Sequence, residues 1–277
     1  MKSVSNALQF QAQITAQFVI DNLQAAKPLS GLKVLDVGCG EGLIAGLLLD
    51  AGLDVLAIDL DDQDLLKAQA RGVDARHIDY INDAARLPQD HFDAILFSRS
   101  LHHILPLDQA LFKAQGLLKI GGKVLVEDFG YELVDQATAL WLFSLADLLR
   151  AQTVYSQGRE DGTEGESRQE RHRWLTLDEK GARRTAHGAL QCFRQHHEVK
   201  HTVTSFKDIY AALAEHLQIL SCTAEPYLFR YLCDLLPADS TSLKQALQLR
   251  AFEMELSQCG AMSLCGRRIV AQIRPRP

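Results

Sequence analysis

Short apolar segments, separated by stretches with the spacing of amphipathic helices, run through residues 30–130 of the chain. They predict strands, which we place at 33–37, 54–59, 75–80, 92–97 and 122–127. Most of these segments are apolar at nearly every position, a pattern typical of parallel strands that are covered on both faces. The pattern therefore predicts an α/β fold with a doubly wound parallel sheet, in which ligands bind outside the carboxyl ends of the strands.

The flanking sequence predicts further helices and strands. Residues 5–26 predict an N-terminal helix, because apolar side chains recur there at a spacing of three or four. Near the other end, the hydrophobic pattern predicts a helix at 206–216 and two more strands, at 217–223 and 267–273.

Residues 132–205 interrupt the pattern and are predicted to form a cap or lid insertion. Within them, residues 156–173 contain no aliphatic residue and no Phe, Tyr or Trp. Such a segment cannot bury apolar area to offset its ordering entropy, so a surface loop and a lid over a pocket both fit. We expect a single domain over 1–277 with its core at about 30–131 and 206–277.

Composition narrows the class of protein. The 277 residues carry 29 Lys and Arg against 35 Asp and Glu, a net charge of −6, which argues against broad binding to nucleic acid or acidic membranes. No apolar run approaches the ~20 residues of a membrane span, and the N-terminus has no secretory pattern. Six cysteines are scattered without a C-x-x-C pair, as in reduced cytosolic proteins. We expect a cytoplasmic, soluble protein.

One loop carries the first chemical signal. Gly38, Gly40 and Gly42 follow the first predicted strand, and glycine lets the backbone approach a ligand where a Cβ would clash. A dinucleotide fingerprint would need a glycine where Leu43 stands. Asp59 ends the second strand, where an acidic group can accept both hydroxyl hydrogens of a ribose. Together, the loop and Asp59 predict a ligand that contains a nucleoside.

With Asp36 inside the first strand, these residues resemble the class I S-adenosylmethionine-dependent methyltransferases of small-molecule type. The segments at 92–98, 100–104 and 117–124 extend the resemblance over about residues 30–130. It implies a Rossmann-like, doubly wound seven-stranded sheet that is mostly parallel with an antiparallel last strand, plus helical cap insertions. It also implies S-adenosylmethionine as cofactor and S-adenosylhomocysteine as product.

The resemblance further implies which residues contact the cofactor along the first strand. By position, Gly38, Cys39 and Gly40 would line its methionyl and ribose parts. Asp36 would orient this loop.

At the second and third strands, the resemblance implies contacts with the nucleoside. Asp59 would bind the ribose hydroxyls and Leu60 would pack on the adenine. An acidic residue near the end of the third strand would face the adenine amino group. Asp79 and Asp83 both fit, and we favour Asp79, followed by Tyr80 in the pocket wall, because Asp79 directly follows an apolar strand residue.

The end of the fourth strand would lie beside the transferable methyl group. Ser98 and Arg99 occupy that position, and His102 and His103 follow just beyond it. A general base is useful only if the acceptor must lose a proton, as a phenol or hydroxyl would. Because neighbours on a helix point about 100° apart, at most one of the two imidazoles is expected to face the pocket. We predict His102 as the catalytic residue, and we assign Asp128, at the end of the fifth strand, to the pocket wall.

A second histidine group lies in the predicted cap. His197 and His201 have the His-x3-His spacing of metal ligands on a helix, and His196 precedes them. The neighbouring β-branched residues favour strand or irregular chain instead. We therefore expect a solvated or lid histidine patch and no metal site.

Three functions fit these observations. The favoured one is transfer of a methyl group to a small organic acceptor, held under a cap that is rich in apolar and aromatic residues. The alternatives are an RNA or protein methyltransferase and a protein that binds the cofactor without catalysis. The net charge of −6 argues against the nucleic-acid enzyme, as does Ser98-Arg99-Ser100-Leu101 where amino-directed nucleic-acid methylases carry an Asn/Asp-Pro-Pro-aromatic motif. The acceptor and the oligomeric state are left open.

Overall fold

The computed structural model describes residues 6–24, 28–156, 173–176, 185–200, 203–236 and 239–274. Most of the predicted loop or lid at 156–173 lies outside these ranges, as does His201. The chain divides into two compact units. Of the described residues, those within 12–129, 204–223 and 267–274 form the sheet unit, and those within 6–11, 130–203 and 224–266 form the helical unit.

A seven-stranded sheet, built from the described part of the chain, has the order β3-β2-β1-β4-β5-β7-β6, and its last strand is antiparallel. The strands are β1 Lys33–Val37, β2 Asp54–Asp59, β3 Asp74–His77, β4 Phe92–Ser98, β5 Leu118–Phe129, β6 Gln218–Glu225 and β7 Gly266–Gln272. The predicted fold class, a doubly wound mixed sheet, is confirmed. The strand order reverses between β1 and β4, the place where open α/β sheets bind ligands.

The register of the parallel strands brings their carboxyl ends to one edge. Val37 of β1 lies opposite Ile58 of β2 on one side and Phe97 of β4 on the other. Ser98 of β4 lies opposite Glu127 of β5. The residues that follow these four strands therefore meet at the same edge of the sheet.

Helices of the sheet unit cover both faces of the central strands. Their bounds are α1 Asn6–Gln24, which belongs to this unit from Ala12 onward, α2 Leu43–Asp50, α3 Asp62–Ala70, α4 Leu107–Leu117 and α8 Phe206–His216. One buried cluster contains Phe97, Leu111 and Leu213, and the other contains Val19, Leu48 and Leu96. Phe97 and Leu96 are neighbours on β4 and point to opposite faces, so both faces of this strand are buried, as its continuous apolar sequence predicts.

Two strands differ in length from the sequence prediction by more than one residue. β3 ends at His77 rather than at 80, because the Asp79 carboxylate accepts the backbone N–H groups of Ile81 and Asn82, at 2.7 and 2.9 Å, and folds the chain into a turn. β5 begins at Leu118, four residues before the predicted start. The extra residues include Gly121, whose φ of +79° accompanies a register irregularity against β4.

The helical unit contains α5 Gln136–Ser156, α6 Arg173–Thr176, α7 Ala186–Arg194, α9 Phe229–Cys233 and α10 Ser242–Gln258, with a π-helix at Gln195–Lys200. The buried Glu253 carboxylate accepts the backbone N–H groups of Tyr227, Leu228 and Phe229, at 2.7, 3.1 and 2.9 Å. These bonds satisfy donors at the start of α9 that the helix itself cannot pair. Burial, the largest influence, raises the pKa of Glu253, and the three N–H groups oppose that shift.

Of the expected solvated or lid histidine patch, the solvated alternative is wrong for His196 and His197. Both are buried, and His196 stacks on Trp174 with ring centroids 4.0 Å apart. The ring of His197 lies 4.2 Å from that of Phe193, and its Nε2 is 3.2 Å from the Tyr231 hydroxyl. The sequence between 195 and 200 forms a helical turn, which carries both imidazoles into an aromatic cluster.

Within the described ranges, no group of His, Cys, Asp and Glu side chains could hold a metal ion. No helix in those same ranges is long and apolar enough to cross a membrane.

Candidate active site

The three glycines of the loop after β1 serve different purposes. A Cβ on Gly38 would lie 2.6 Å from the Ser100 Cβ, and one on Gly42 would lie 2.6 Å from the Ala68 Cβ. A Cβ on Gly40 would meet only the Asp64 Oδ2, at 3.8 Å. All three residues have positive φ, from +51° to +75°. Gly38 and Gly42 therefore allow close packing within the unit, whereas Gly40 leaves open space at the edge of the sheet.

The Asp59 carboxylate fixes this loop to the end of β2. Its Oδ2 accepts the Gly40 N–H at 2.7 Å, and its Oδ1 accepts the N–H groups of Leu60 and Asp61, at 2.7 and 3.1 Å. Gly38 and Cys39 add backbone hydrogen bonds to the Ile58 carbonyl, at 2.9 and 3.1 Å. The loop is thus held in place by the strand end that was predicted to bind a ribose.

Leu60 follows Asp59 and projects from this edge with 59% of its surface exposed. An exposed leucine beside a polar strand end offers an apolar surface for a flat ring. This arrangement suits the predicted packing of Leu60 on an adenine.

Asp36 is the most perturbed carboxyl group of the edge. It is 1% exposed, and its Oδ2 has no hydrogen-bond partner among the residues that the structure describes. Burial raises its pKa from 3.8 to about 7; the nearby charge of Asp59 adds to this shift, and that of Arg99 opposes it. A buried carboxyl oxygen with no partner in the described chain indicates a place for a cationic or hydrogen-bonding ligand group.

Cys39 lies in the same loop and does not serve as a nucleophile. Burial, followed by the charges of Asp36 and Asp59, raises the pKa of its thiol far above the usual range. The thiol is therefore neutral at physiological pH, and a neutral thiol is a poor nucleophile.

The chain after β4 is held in an unusual conformation. Arg99 has a φ of +58°, a value that side-chain-bearing residues rarely adopt, and its N–H donates to the Glu127 carbonyl at 2.7 Å. The adjoining Ser98 is 7% exposed, and its Oγ has no hydrogen-bond partner within the described ranges. Next along the chain, the Ser100 hydroxyl donates to the Val37 carbonyl at 2.6 Å and connects this turn to β1.

The candidate residues near β3 have mostly structural contacts. Asp79 accepts three hydrogen bonds in its turn, including one at 2.8 Å from the Asn82 side-chain amide, and these bonds lower its pKa. Tyr80 is buried, its ring packs edge-on against Phe97 at 5.4 Å, and its hydroxyl donates to the Ala110 carbonyl at 3.2 Å. Asp83 lies 3.7 Å from the Arg86 guanidinium. The choice between Asp79 and Asp83 for the adenine contact stays a prediction, as does the role of Tyr80.

His102 forms a close pair with Asp128 that the sequence analysis missed. The His102 Nδ1 is 2.6 Å from the Asp128 Oδ1, and both side chains are buried. His102 lies in the 3₁₀ turn Leu101–His103 after β4, and Asp128 lies near the end of β5. The sequence did show a carboxylate near the end of the fifth strand, which could have suggested a partner for His102. It did not show that the two side chains meet.

The edge of the sheet fits a cationic nucleoside. Asp36 Oδ2 and Ser98 Oγ are buried polar atoms with no partner in the described chain, Gly40 leaves open space, and Leu60 exposes an apolar surface. These features are those expected of a nucleoside-binding α/β domain with its site at the switch point of the sheet.

Comparison with known proteins agrees with this class. Residues 35–126 match the family model described as "Methyltransferase domain". An uncharacterized methyltransferase of Mycobacterium tuberculosis is 40% identical over 111 residues, which cover 39% of this chain and 55% of that protein. The human mitochondrial ubiquinone biosynthesis O-methyltransferase is 33% identical over 115 residues, 39% of this chain and 31% of that one. The match thus spans about half the length of the mycobacterial relative.

Solved structures show the same fold at low sequence identity. The geranyl diphosphate C-methyltransferase of Streptomyces coelicolor superposes with a TM-score of 0.51 at 14% identity, covering 95% of this chain and 76% of that one. An S-adenosylmethionine-dependent methyltransferase of Mesorhizobium loti gives 0.50 at 16% identity, covering 89% and 93%. Residues 35–126 therefore match a methyltransferase domain in sequence, and the sheet that contains them has the fold of solved S-adenosylmethionine-dependent methyltransferases.

The contrast among the loop glycines gives a first test. We expect Gly40→Ala to lower the stability by only about 1 kcal/mol, the cost of an alanine at positive φ, and to weaken S-adenosylhomocysteine binding at least tenfold. Gly42→Ala should lose a further ~1–3 kcal/mol from overpacking. Gly72→Ala is the control, because Gly72 also has positive φ with open space at its Cβ. Urea unfolding measures the stability, and calorimetry measures the affinity for S-adenosylhomocysteine. Normal binding by Gly40→Ala would contradict a place for this loop in the binding site.

The raised pKa of Asp36 gives a second test. The folded protein keeps a proton on Asp36 up to about pH 7, whereas the unfolded chain releases it near pH 3.8, so Asp36 lowers the free energy of unfolding as the pH rises through this range. We expect Asp36→Asn to stabilise the protein above pH 7 and to have little effect near pH 4. Urea titrations over this range measure the difference, with the exposed Asp54→Asn as control. If the stability gained by Asp36→Asn does not increase with pH, the raised pKa of Asp36 is contradicted.

Proposed function

We propose that the chain transfers a methyl group from S-adenosylmethionine to a small organic acceptor by direct in-line displacement. The observation that carries this proposal is the buried, raised-pKa Asp36 beside a glycine loop that Asp59 holds open at Gly40. A cofactor with a cationic amino group and a ribose matches both carboxylates in charge and hydrogen bonding.

The residues of the edge take the following roles in this proposal. The Asp59 carboxylate accepts hydrogen bonds from the ribose hydroxyls through the lone pairs that its three backbone N–H donors do not use. Asp36 faces the methionyl amino group, whose positive charge offsets the cost of ionising a buried carboxyl. Leu60 packs against the adenine. Gly38, Cys39 and Gly40 line the chain of the cofactor with backbone, and Ser98 and Arg99 lie near the reacting centre.

The cofactor, when bound, supplies a methyl group on a positively charged sulfur, which is already a strong electrophile. The main tasks of the protein are therefore to align the acceptor and to exclude water. His102 adds a general base at the same edge and removes a proton from the acceptor as the new bond forms.

Relatives support a small acceptor without identifying it. The human relative is named an O-methyltransferase of ubiquinone biosynthesis, and the Streptomyces neighbour a C-methyltransferase of geranyl diphosphate. Both names refer to small organic molecules. We extend this substrate class, and neither compound, to the chain.

Calorimetry with S-adenosylmethionine and S-adenosylhomocysteine tests the proposal. We expect both to bind, and Asp59→Asn to lose about 2–4 kcal/mol of affinity, or roughly 30- to 1000-fold, because a charge-assisted pair of hydrogen bonds is removed. Asp54→Asn is the matched control, since Asp54 begins the same strand at the opposite edge.

A release assay for S-adenosylhomocysteine over a panel of small acceptors then tests turnover. Binding of neither cofactor form by the natural protein would contradict the proposal. Tight binding with turnover only on RNA or protein would replace the small acceptor by a macromolecule.

A further inference from the structure

The pairing of His102 with Asp128 is more complete than one hydrogen bond. The Asp128 Oδ1 lies 2.6 Å from the His102 Nδ1, and its Oδ2 accepts the His102 backbone N–H at 3.3 Å. The Oδ1 also accepts the Phe129 N–H at 2.9 Å. One carboxylate thus holds both the main chain and the ring of His102, and its own position is fixed by the backbone of β5.

Further contacts restrict the imidazole ring. The Phe129 ring meets it edge-on at 5.5 Å, and the His103 ring lies 4.1 Å away. The His102 carbonyl accepts the Thr204 N–H at 3.0 Å, which connects the turn to the chain before α8. The contacts with Asp128, Phe129 and His103 together hold the His102 ring in one well-defined orientation.

The carboxylate also decides which ring nitrogen carries the proton. A carboxylate only accepts hydrogen bonds, so a neutral His102 must place its proton on Nδ1. Its Nε2 then carries the lone pair. The described residues give Nε2 no hydrogen-bond partner, and the side chain keeps 7% of its surface exposed. An oriented imidazole with an available Nε2 is arranged to accept a proton.

We propose that Asp128 is a positioning residue for His102 and that the methyl acceptor is an acidic hydroxyl group, a phenol or an enol. This inference rests on the proposed function. A base is needed only by acceptors that lose a proton, which excludes thioethers and tertiary amines. A phenol, with a pKa of about 10, gives up its proton to an imidazole far more readily than an aliphatic alcohol, which is about as weak an acid as water.

The transfer step balances as follows. The acceptor O–H bond breaks and its proton passes to the His102 Nε2, while an oxygen electron pair forms the new bond to the methyl carbon. The carbon–sulfur bond breaks and sulfur keeps its electron pair, so the positive charge moves from sulfur to the imidazole. Asp128 stabilises that charge through the Nδ1 hydrogen bond. Solvent then takes the proton, and no other reagent is required.

A series of phenols with graded acidity tests the substrate class. The probes are phenol, 4-chlorophenol and 4-nitrophenol, assayed at pH 8, with aniline and an alkene as nitrogen and carbon acceptors. We expect His102→Gln and Asp128→Asn to lower kcat on phenol by about 10²–10³ and on 4-nitrophenol, which is already ionised, by less than about threefold. His91→Gln and Asp93→Asn are matched controls, because His91 directly precedes β4 and Asp93 lies near its start, at the end of the strand away from His102.

The outcomes separate this inference from the proposed function. If cofactor binding is normal and the kcat of His102→Gln and Asp128→Asn falls by the same factor on every phenol, the His102–Asp128 pair is structural and the inference fails. If the natural protein methylates aniline or the alkene but no hydroxyl compound, or binds the cofactor and methylates none of the probes, the hydroxyl class fails. Loss of cofactor binding in the natural protein would instead contradict the proposed function.

The positioning role of Asp128 has its own readout. Nitrogen-15 chemical shifts of His102 report which ring nitrogen carries the proton. We expect the proton on Nδ1 in the natural protein and a mixture of both forms in Asp128→Ala, with KM changed less than threefold while kcat falls. An unchanged nitrogen spectrum in Asp128→Ala would overturn the positioning role.

Discussion

The hydrogen bond from the Gly40 N–H to the Asp59 carboxylate is the contact on which the rest of the site depends. It joins the loop after β1 to the end of β2, so the two strands that flank the proposed nucleoside site are fixed relative to one another. Gly38 and Gly42 lie on either side of it and pack too closely for any side chain, which leaves Gly40 as the position where backbone faces open space. A single carboxylate therefore shapes the loop and is also the partner that we propose for the ribose.

The same edge carries an energetic cost that a ligand can offset. Asp36 is buried without a partner for its Oδ2 in the described chain, and burial raises its pKa because the charged carboxylate is poorly solvated there. Arg99, with its positive φ, adds local strain beside it. Features that oppose stability and coincide at one strand edge are typical of a site adapted for binding.

The sequence predicts those parts of the fold and site that depend on local pattern. The continuous apolar segments predict the strands, and the order of the glycine loop, Asp36 and Asp59 predicts the edge where they meet. The sequence could not show contacts that depend on register, such as the meeting of Asp128 with His102 across β4 and β5. It also could not show that a turn closed by Asp79 shortens β3, or that tertiary packing buries His196 and His197 among aromatic rings.

A crystal structure with S-adenosylhomocysteine is the most direct measurement of the central claim. The account predicts that the ribose hydroxyls contact Asp59, the amino group faces Asp36 and the chain of the ligand passes Gly40. Ligand density at any other part of the surface would contradict this account. So would the absence of ligand density at this edge of the sheet when the ligand is at a saturating concentration.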